Sequence, residues 1–159
     1  MSSRADLLAQ RVRQGADSMA EFAERLSAAE WRTPVPPDGR TAGVIIHHVA
    51  IAYPGEIECA KLLASGTALQ FTWDWVAQYN ATHAQEHADI GKDETIELLR
   101  RNSETAAAAV RGFTDAELDS AAPVGIYADA PLTAQFFIED QAVRHSFHHL
   151  KKIKAALGK

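Results

Sequence analysis

Cysteine is almost missing from this sequence. Cys59 stands alone, so no internal disulfide can form and the fold does not depend on oxidation. Long apolar runs are missing too, and without 18 or more consecutive apolar residues no membrane span is expected. The opening Met1-Ser2-Ser3-Arg4-Ala5-Asp6 has no apolar segment of the kind a signal peptide requires, so a cytoplasmic, soluble protein is the expectation. The chain has no long basic run and no aromatic platform interleaved with Arg or Lys. Its formal net charge is -5, and together these features argue against nucleic-acid binding. There is no Gly-rich phosphate loop, no nucleophile elbow and no Cys-x-x-Cys, which leaves nucleotide-dependent and serine-hydrolase chemistry without support. Nothing alternates as a strand should, and nothing repeats.

What is present reads as helix. At 47% hydrophobic residues, the 159-residue chain is expected to form one domain, 1–159, with a real core. Leu7, Leu8, Val12, Met19, Phe22, Ala23 and Leu26 fall at helical spacing over residues 4–29. Pro34, Pro36, Pro37 and Gly39 make a loop, after which Thr41 is placed to cap a second helix. Pro54 is expected to interrupt and kink that helix about one turn after His48, because it cannot donate back to Ala50. The helix should resume and end near Ser65-Gly66. A shorter helix is expected from Trp73 or Asp74 to about Asp89, and another, capped by Asp93, stops at Gly112. Thr114 and Glu117 form a capping-box signature for a short extra turn. Residues 121–132, with Pro123, Gly125 and Pro131, read as a loop, and Thr133 should cap a last helix reaching Leu157. The expected fold is all-α: an antiparallel four-helix bundle with one additional short helix.

Seven histidines stand out: 47, 48, 83, 87, 145, 148 and 149. On the last helix Ile138, Ala142, His145, His149, Ile153 and Ala156 share one stripe, so two imidazoles one turn apart point inward. His48 likewise interrupts the apolar stripe of the second helix, while His47 is rotated about 100° from it. Polar rings inside a bundle need partners, and three that converge can satisfy one another through a metal ion. Neutral imidazole suits zinc, nickel or iron(II), and three protein ligands leave a coordination position open. Beside this stands the reading of each histidine as a hydrogen-bonded core residue.

Several motifs also resemble one family. They are Glu30-Trp31 with Pro34 and Pro36, the run from Thr41 through His48 to Ala50, Asn80-Ala81, Glu86-His87-Ala88, Thr114 through Leu118, and the closing His145-x-x-x-His149-Leu150. In that order they are similar to the DinB-like, DNA-damage-inducible metalloproteins, over nearly the whole chain. The resemblance implies a four-helix bundle with a divalent metal ion on His48, His145 and His149. It also implies kinship with mycothiol-dependent maleylpyruvate isomerases and bacillithiol transferases. In the isomerase branch a glutamate occupies the position of His145, so this chain looks more like the all-histidine branch. The activity implied is thiol transfer or a related reaction on a small electrophile, with a low-molecular-weight thiol as cosubstrate. The alternative is a non-enzymatic bundle that binds a metal or a small ligand. A homodimer fits the resemblance.

Further residues attach to this reading. His83 and His87 form a second pair one turn apart, read either as a solvated surface or as the mouth of the site. In the second case His83 and Asn80 would contact substrate, with Tyr79 sharing that position. Trp31, Trp73 and Trp75 either line a pocket, with Trp31 touching substrate, or pack helix ends. Gln141, one turn before His145, is a candidate to orient that imidazole. Cys59 is expected to be a small apolar core residue.

Overall fold

Ser3 starts the first helix. Its hydroxyl accepts from the Asp6 amide, and the Asp6 carboxylate accepts from the Ser3 amide in return. In the computed structural model, which describes residues 3–159, this helix α1 spans Arg4–Glu24. Met1 and Ser2, included in the expected domain, lie outside the described residues. A second capping box, Ser27 with Glu30, opens a separate short helix α2 at Ala28–Trp31, so the helix expected over 4–29 divides in two. Thr41 caps α3, Ala42–Ala64, and Thr72 caps α4, Trp73–Glu86, which ends short of the expected Asp89. Gly91, not Asp93, stands at the N-cap of α5, Lys92–Arg111. Thr114 and Glu117 box the short α6, Asp115–Asp119. Thr133 then caps the last helix, which runs as α7 (Ala134–Phe137), a π-helical segment (Ile138–Val143) and α8 (Arg144–Leu157).

The stretch expected to be a loop contains a β-hairpin instead. Strands β1 (Ala121–Val124) and β2 (Ala130–Thr133) pair antiparallel, with Pro123 opposite Pro131. Neither proline has an amide to donate, so they can face each other only at a non-hydrogen-bonded pair, where none is needed. The ribbon holds the connector after α3: Leu69 donates to the Pro123 carbonyl at 2.9 Å and accepts from Gly125 at 2.7 Å.

Helices α1, α3, α5 and the α7–α8 helix form the four-helix bundle, and α5 packs against both α1 and α3. Arg4 at the start of α1 pairs with Asp119 beyond α5, and Glu24 at the end of α1 pairs with Arg100, so α1 and α5 are antiparallel. Trp31, before α3, donates to the Ile90 carbonyl, before α5; Ser120, beyond α5, donates to Leu63 near the end of α3. Helices α3 and α5 therefore run in the same direction. A parallel pair needs a long crossover, and α4 with its flanking loops provides it. Helix α8 returns antiparallel to α3, and the core between the four helices is filled by residues such as Leu8, Met19, Ile46, Leu99 and Ile153. No helix among the described residues is long and apolar enough to cross a membrane.

Helix α3 continues through Pro54. Proline leaves the Ala50 carbonyl without its intrahelical donor, and Asn102 of α5 donates to that carbonyl at 2.8 Å. Asn102→Leu should therefore destabilise the protein by about 1–3 kcal/mol, the cost of an orphaned buried acceptor. Urea denaturation would measure it, and a change below the error of the method would show that Asn102 does not serve this carbonyl.

Candidate metal centre

Helices α3 and α8 face each other along their length, and this interface carries the predicted trio. His48, His145 and His149 bring one ring nitrogen each to within 4.8 Å of the others. His48 Nε2 lies 3.0 Å from His145 Nε2. The rings of His48 and His149 are 5.4 Å apart between centroids, and those of His145 and His149 are 4.7 Å apart. The pair 145 and 149 follows a π-helical segment, whose wider turn re-aims the residues after it; such segments frequently sit at functional sites.

Glu56, two turns beyond His48 on α3, reaches the outer nitrogen of His145. His145 Nδ1–H donates to Glu56 Oε1 at 2.8 Å, and the glutamate side chain is only 10% exposed. This hydrogen bond leaves the lone pair of His145 on Nε2, toward the other two rings. Burial pushes the Glu56 carboxyl above the usual carboxylate range, and the facing His145 pulls it back. Burial and the neighbouring imidazoles push His48 down to about 2 and lower His149 as well. Both are therefore neutral near pH 7, as metal ligands must be. His48 Nδ1 and His149 Nδ1 are buried with no protein partner. Three imidazoles with converging nitrogens, two of them with an unpartnered ring nitrogen, suit a divalent ion better than they suit one another.

The trio forms the floor of a cavity of about 460 Å³. Its walls are Ile51, Gly55 and Cys59 of α3, Trp73, Trp75, Tyr79 and Asn80 of α4, and Phe137, Gln141 and His148 of the last helix. Trp75 stacks on Tyr79 at 5.5 Å. Arg40 also faces the cavity, its Nη1 buried without a partner while Nε donates to Asp38 at 2.8 Å. Asn80 lines the wall with a buried, unpartnered Oδ1.

The other sequence candidates are placed differently. Trp31 does not line this cavity: its indole donates to Ile90 at 3.0 Å, and its ring fills the space where Gly43 lacks a side chain. His83 is not on a solvated surface but 4% exposed, and it stands behind the cavity against His47. Gln141 lines the cavity, yet its amide donates to Tyr127 at 2.7 Å and to Asp140 at 3.0 Å rather than to His145. The orienting partner is Glu56, which nothing in the sequence sets apart from an ordinary helical carboxylate. Trp73 and Trp75, in the first turn of α4, are 57% and 55% exposed at the rim of the cavity, where they stand against Tyr127 and Phe71 respectively. Cys59 is on the cavity wall, and burial pushes its thiol up to about 11, so it stays protonated.

Glu56→Gln tests the orienting role. It keeps the shape but replaces the carboxyl that accepts from His145 Nδ1–H with an amide that can also present an N–H there, and metal affinity should fall about 10–100-fold. A chelator-competition titration measures this, and unchanged affinity would mean the glutamate is only a neighbour.

No protein-family model matches the chain, and no curated protein sequence matches it. Among solved structures, YfiT from Bacillus subtilis superimposes with a TM-score of 0.75 at 18% sequence identity, covering 99% of this chain and 91% of that one. YfiT is described as "a probable metal-dependent hydrolase with an unusual four-helix bundle topology". At this identity the likeness establishes a shared fold.

Proposed function

We propose that this chain is a DinB-like metalloprotein that holds one divalent ion, zinc, nickel or iron, on His48, His145 and His149. Its activity in this reading is attack by a thiol cosubstrate on a small electrophile. The observation that carries the proposal is the convergence of three imidazoles from two helices at the floor of a small-molecule-sized cavity. A divalent ion bound there would lower the pKa of the nucleophile and position it. The protein's own residues divide the remaining work. Cys59 stays protonated, so the attacking sulfur comes from outside. The unpaired Arg40 Nη1 suits an anionic group on the electrophile, and the free Asn80 Oδ1 suits an N–H or O–H donor elsewhere on the same molecule. Trp75 and Tyr79 shield the reacting groups from water on the outer side.

A second reading keeps the site and makes water the nucleophile. It is favoured by the description of the structural neighbour YfiT as a metal-dependent hydrolase. Metal analysis of untagged protein, followed by incubation with model electrophiles in the presence and absence of thiols, tests both. Stoichiometric metal lost in His145→Ala, with thioether products, supports thiol transfer. Thiol-independent hydrolysis supports the second reading, and no turnover at all favours a metal carrier. Metal content unaffected by His145→Ala would remove the site itself.

A further inference from the structure

Beside the first trio lies another. His47, next to His48 on α3, points about 100° around the helix from it, toward the last turn of α4. There His83 and His87 sit one turn apart. One ring nitrogen from each of these three also lies within 4.8 Å of the others. His47 Nδ1 is 2.8 Å from His83 Nε2. The ring of His87 is 4.4 Å from that of His47 and 4.8 Å from that of His83.

Helix α4 makes this cluster unusual. Among its described residues His83 alone is fully buried, and Val76 packs against the core from the same helix, so the C-terminal half of the helix meets the bundle mainly through an imidazole. That imidazole is incompletely satisfied, because His83 Nδ1 is buried with no partner. Helix α4 also ends at this cluster, with His87 at its C-cap, and the negative end of the helix dipole favours a cation. A hollow on the outer side of His47 is lined by Glu94 and Glu97 of α5, which adds negative charge on the approach, alongside Arg101. His87 is half-buried and leaves the cluster open to entry.

We propose that His47, His83 and His87 form a second metal site, its fourth position left to water, that fastens the C-terminal end of α4 to α3. Two imidazoles one turn apart on one helix and a third from its neighbour repeat the donor pattern of the first trio. Zinc suits three imidazole nitrogens. The consequence for the cavity is direct: α4 carries Trp75, Tyr79 and Asn80, so an ion at its end would hold the outer wall in place.

The test uses full-length untagged protein equilibrated with zinc alone, with elemental analysis of wild type, His87→Asn, His145→Ala and the double variant. Two ions per chain are expected in wild type, one in each single variant and none in the double variant. Hydrogen exchange should speed up over residues 73–86 in His87→Asn, by tenfold or more, and stay unchanged in α1 and α5. Equal zinc content and equal exchange in wild type and His87→Asn would overturn the second site. If wild type binds one ion that is lost only in His145→Ala, the second site is refuted while the first stands. If the one ion is lost only in His87→Asn, the second site stands and the first fails. His47→Phe, an apolar replacement of similar breadth on the α3 side, should reproduce the loss if His87→Asn folds poorly.

Discussion

Chelation of the metal-loaded protein will lower its thermal midpoint by about 8–16 °C through the His48–His145–His149 site. The size follows from mass action. An ion present at about a thousandfold its dissociation constant, bound to the folded chain and not to the unfolded one, stabilises by ~4 kcal/mol. For a chain of this length each kcal/mol moves the midpoint by roughly 2–4 °C. The geometry supports selective binding to the folded state, because His48 and the pair on α8 are a hundred residues apart in sequence and meet only when α3 and α8 pack. Calorimetry with and without EDTA, on wild type and on the His145→Ala/His149→Ala variant, checks this. The drop on chelation should shrink in the variant by the amount this site contributes. The same drop in both proteins would mean that whatever EDTA removes is not held by these histidines.

The long helices were legible because each carries one apolar stripe and a capping residue in sequence. Ile138, Ala142, His149 and Ile153 lie on such a stripe, and all four are buried. That stripe gave the inward direction of the C-terminal pair. Where a contact depends on how one element docks on another, the text was silent. Glu56 looks like any helical surface carboxylate until α8 is laid against α3. His47 falls off the apolar stripe of α3, yet it is 6% exposed because α4 covers it. The sequence of α4 does not announce that docking, since the helix has no apolar face to reveal which side is inward. Its histidine pair therefore reads either as a solvated surface or as the mouth of the site, and neither is a second cluster against α3. The hairpin was hidden by its own prolines, which usually argue against strands, and the π segment by an apolar spacing that a regular helix would also satisfy. The direction of α5 relative to α3 was fixed by tertiary packing across the α4 crossover, which periodicity does not encode.

The metal-free protein should lose stability steeply as the pH falls below 6.5. His48 is pushed down to about 2 and His83 to about 4, and His149 is lowered as well, in each case first by burial and then by neighbouring charges. In the unfolded chain the same groups titrate near 6.5. Between the unfolded and folded values the unfolded state binds more protons, so acid favours unfolding. The stability these neutral rings allow is fully present above pH 6.5 and is lost as the pH drops through the window toward the folded values. Each histidine contributes up to ~1.4 kcal/mol per pH unit, and His48 and His149 together remove roughly 5 kcal/mol between pH 6 and pH 4. Both are 8% exposed, so solvent does little to soften the effect. A loss of this size is comparable with the whole stability of an ordinary domain, and the metal-free chain should unfold near pH 4. Urea midpoints of EDTA-treated protein at pH 7, 5.5 and 4.5 would show the slope. His149→Leu should flatten it by one proton, because an apolar side chain in that position has nothing to titrate. A midpoint that stays level from pH 7 to 4.5 would mean that these rings are protonated as readily in the folded bundle as outside it. In that case they are not the dry, neutral donors on which the metal centre depends.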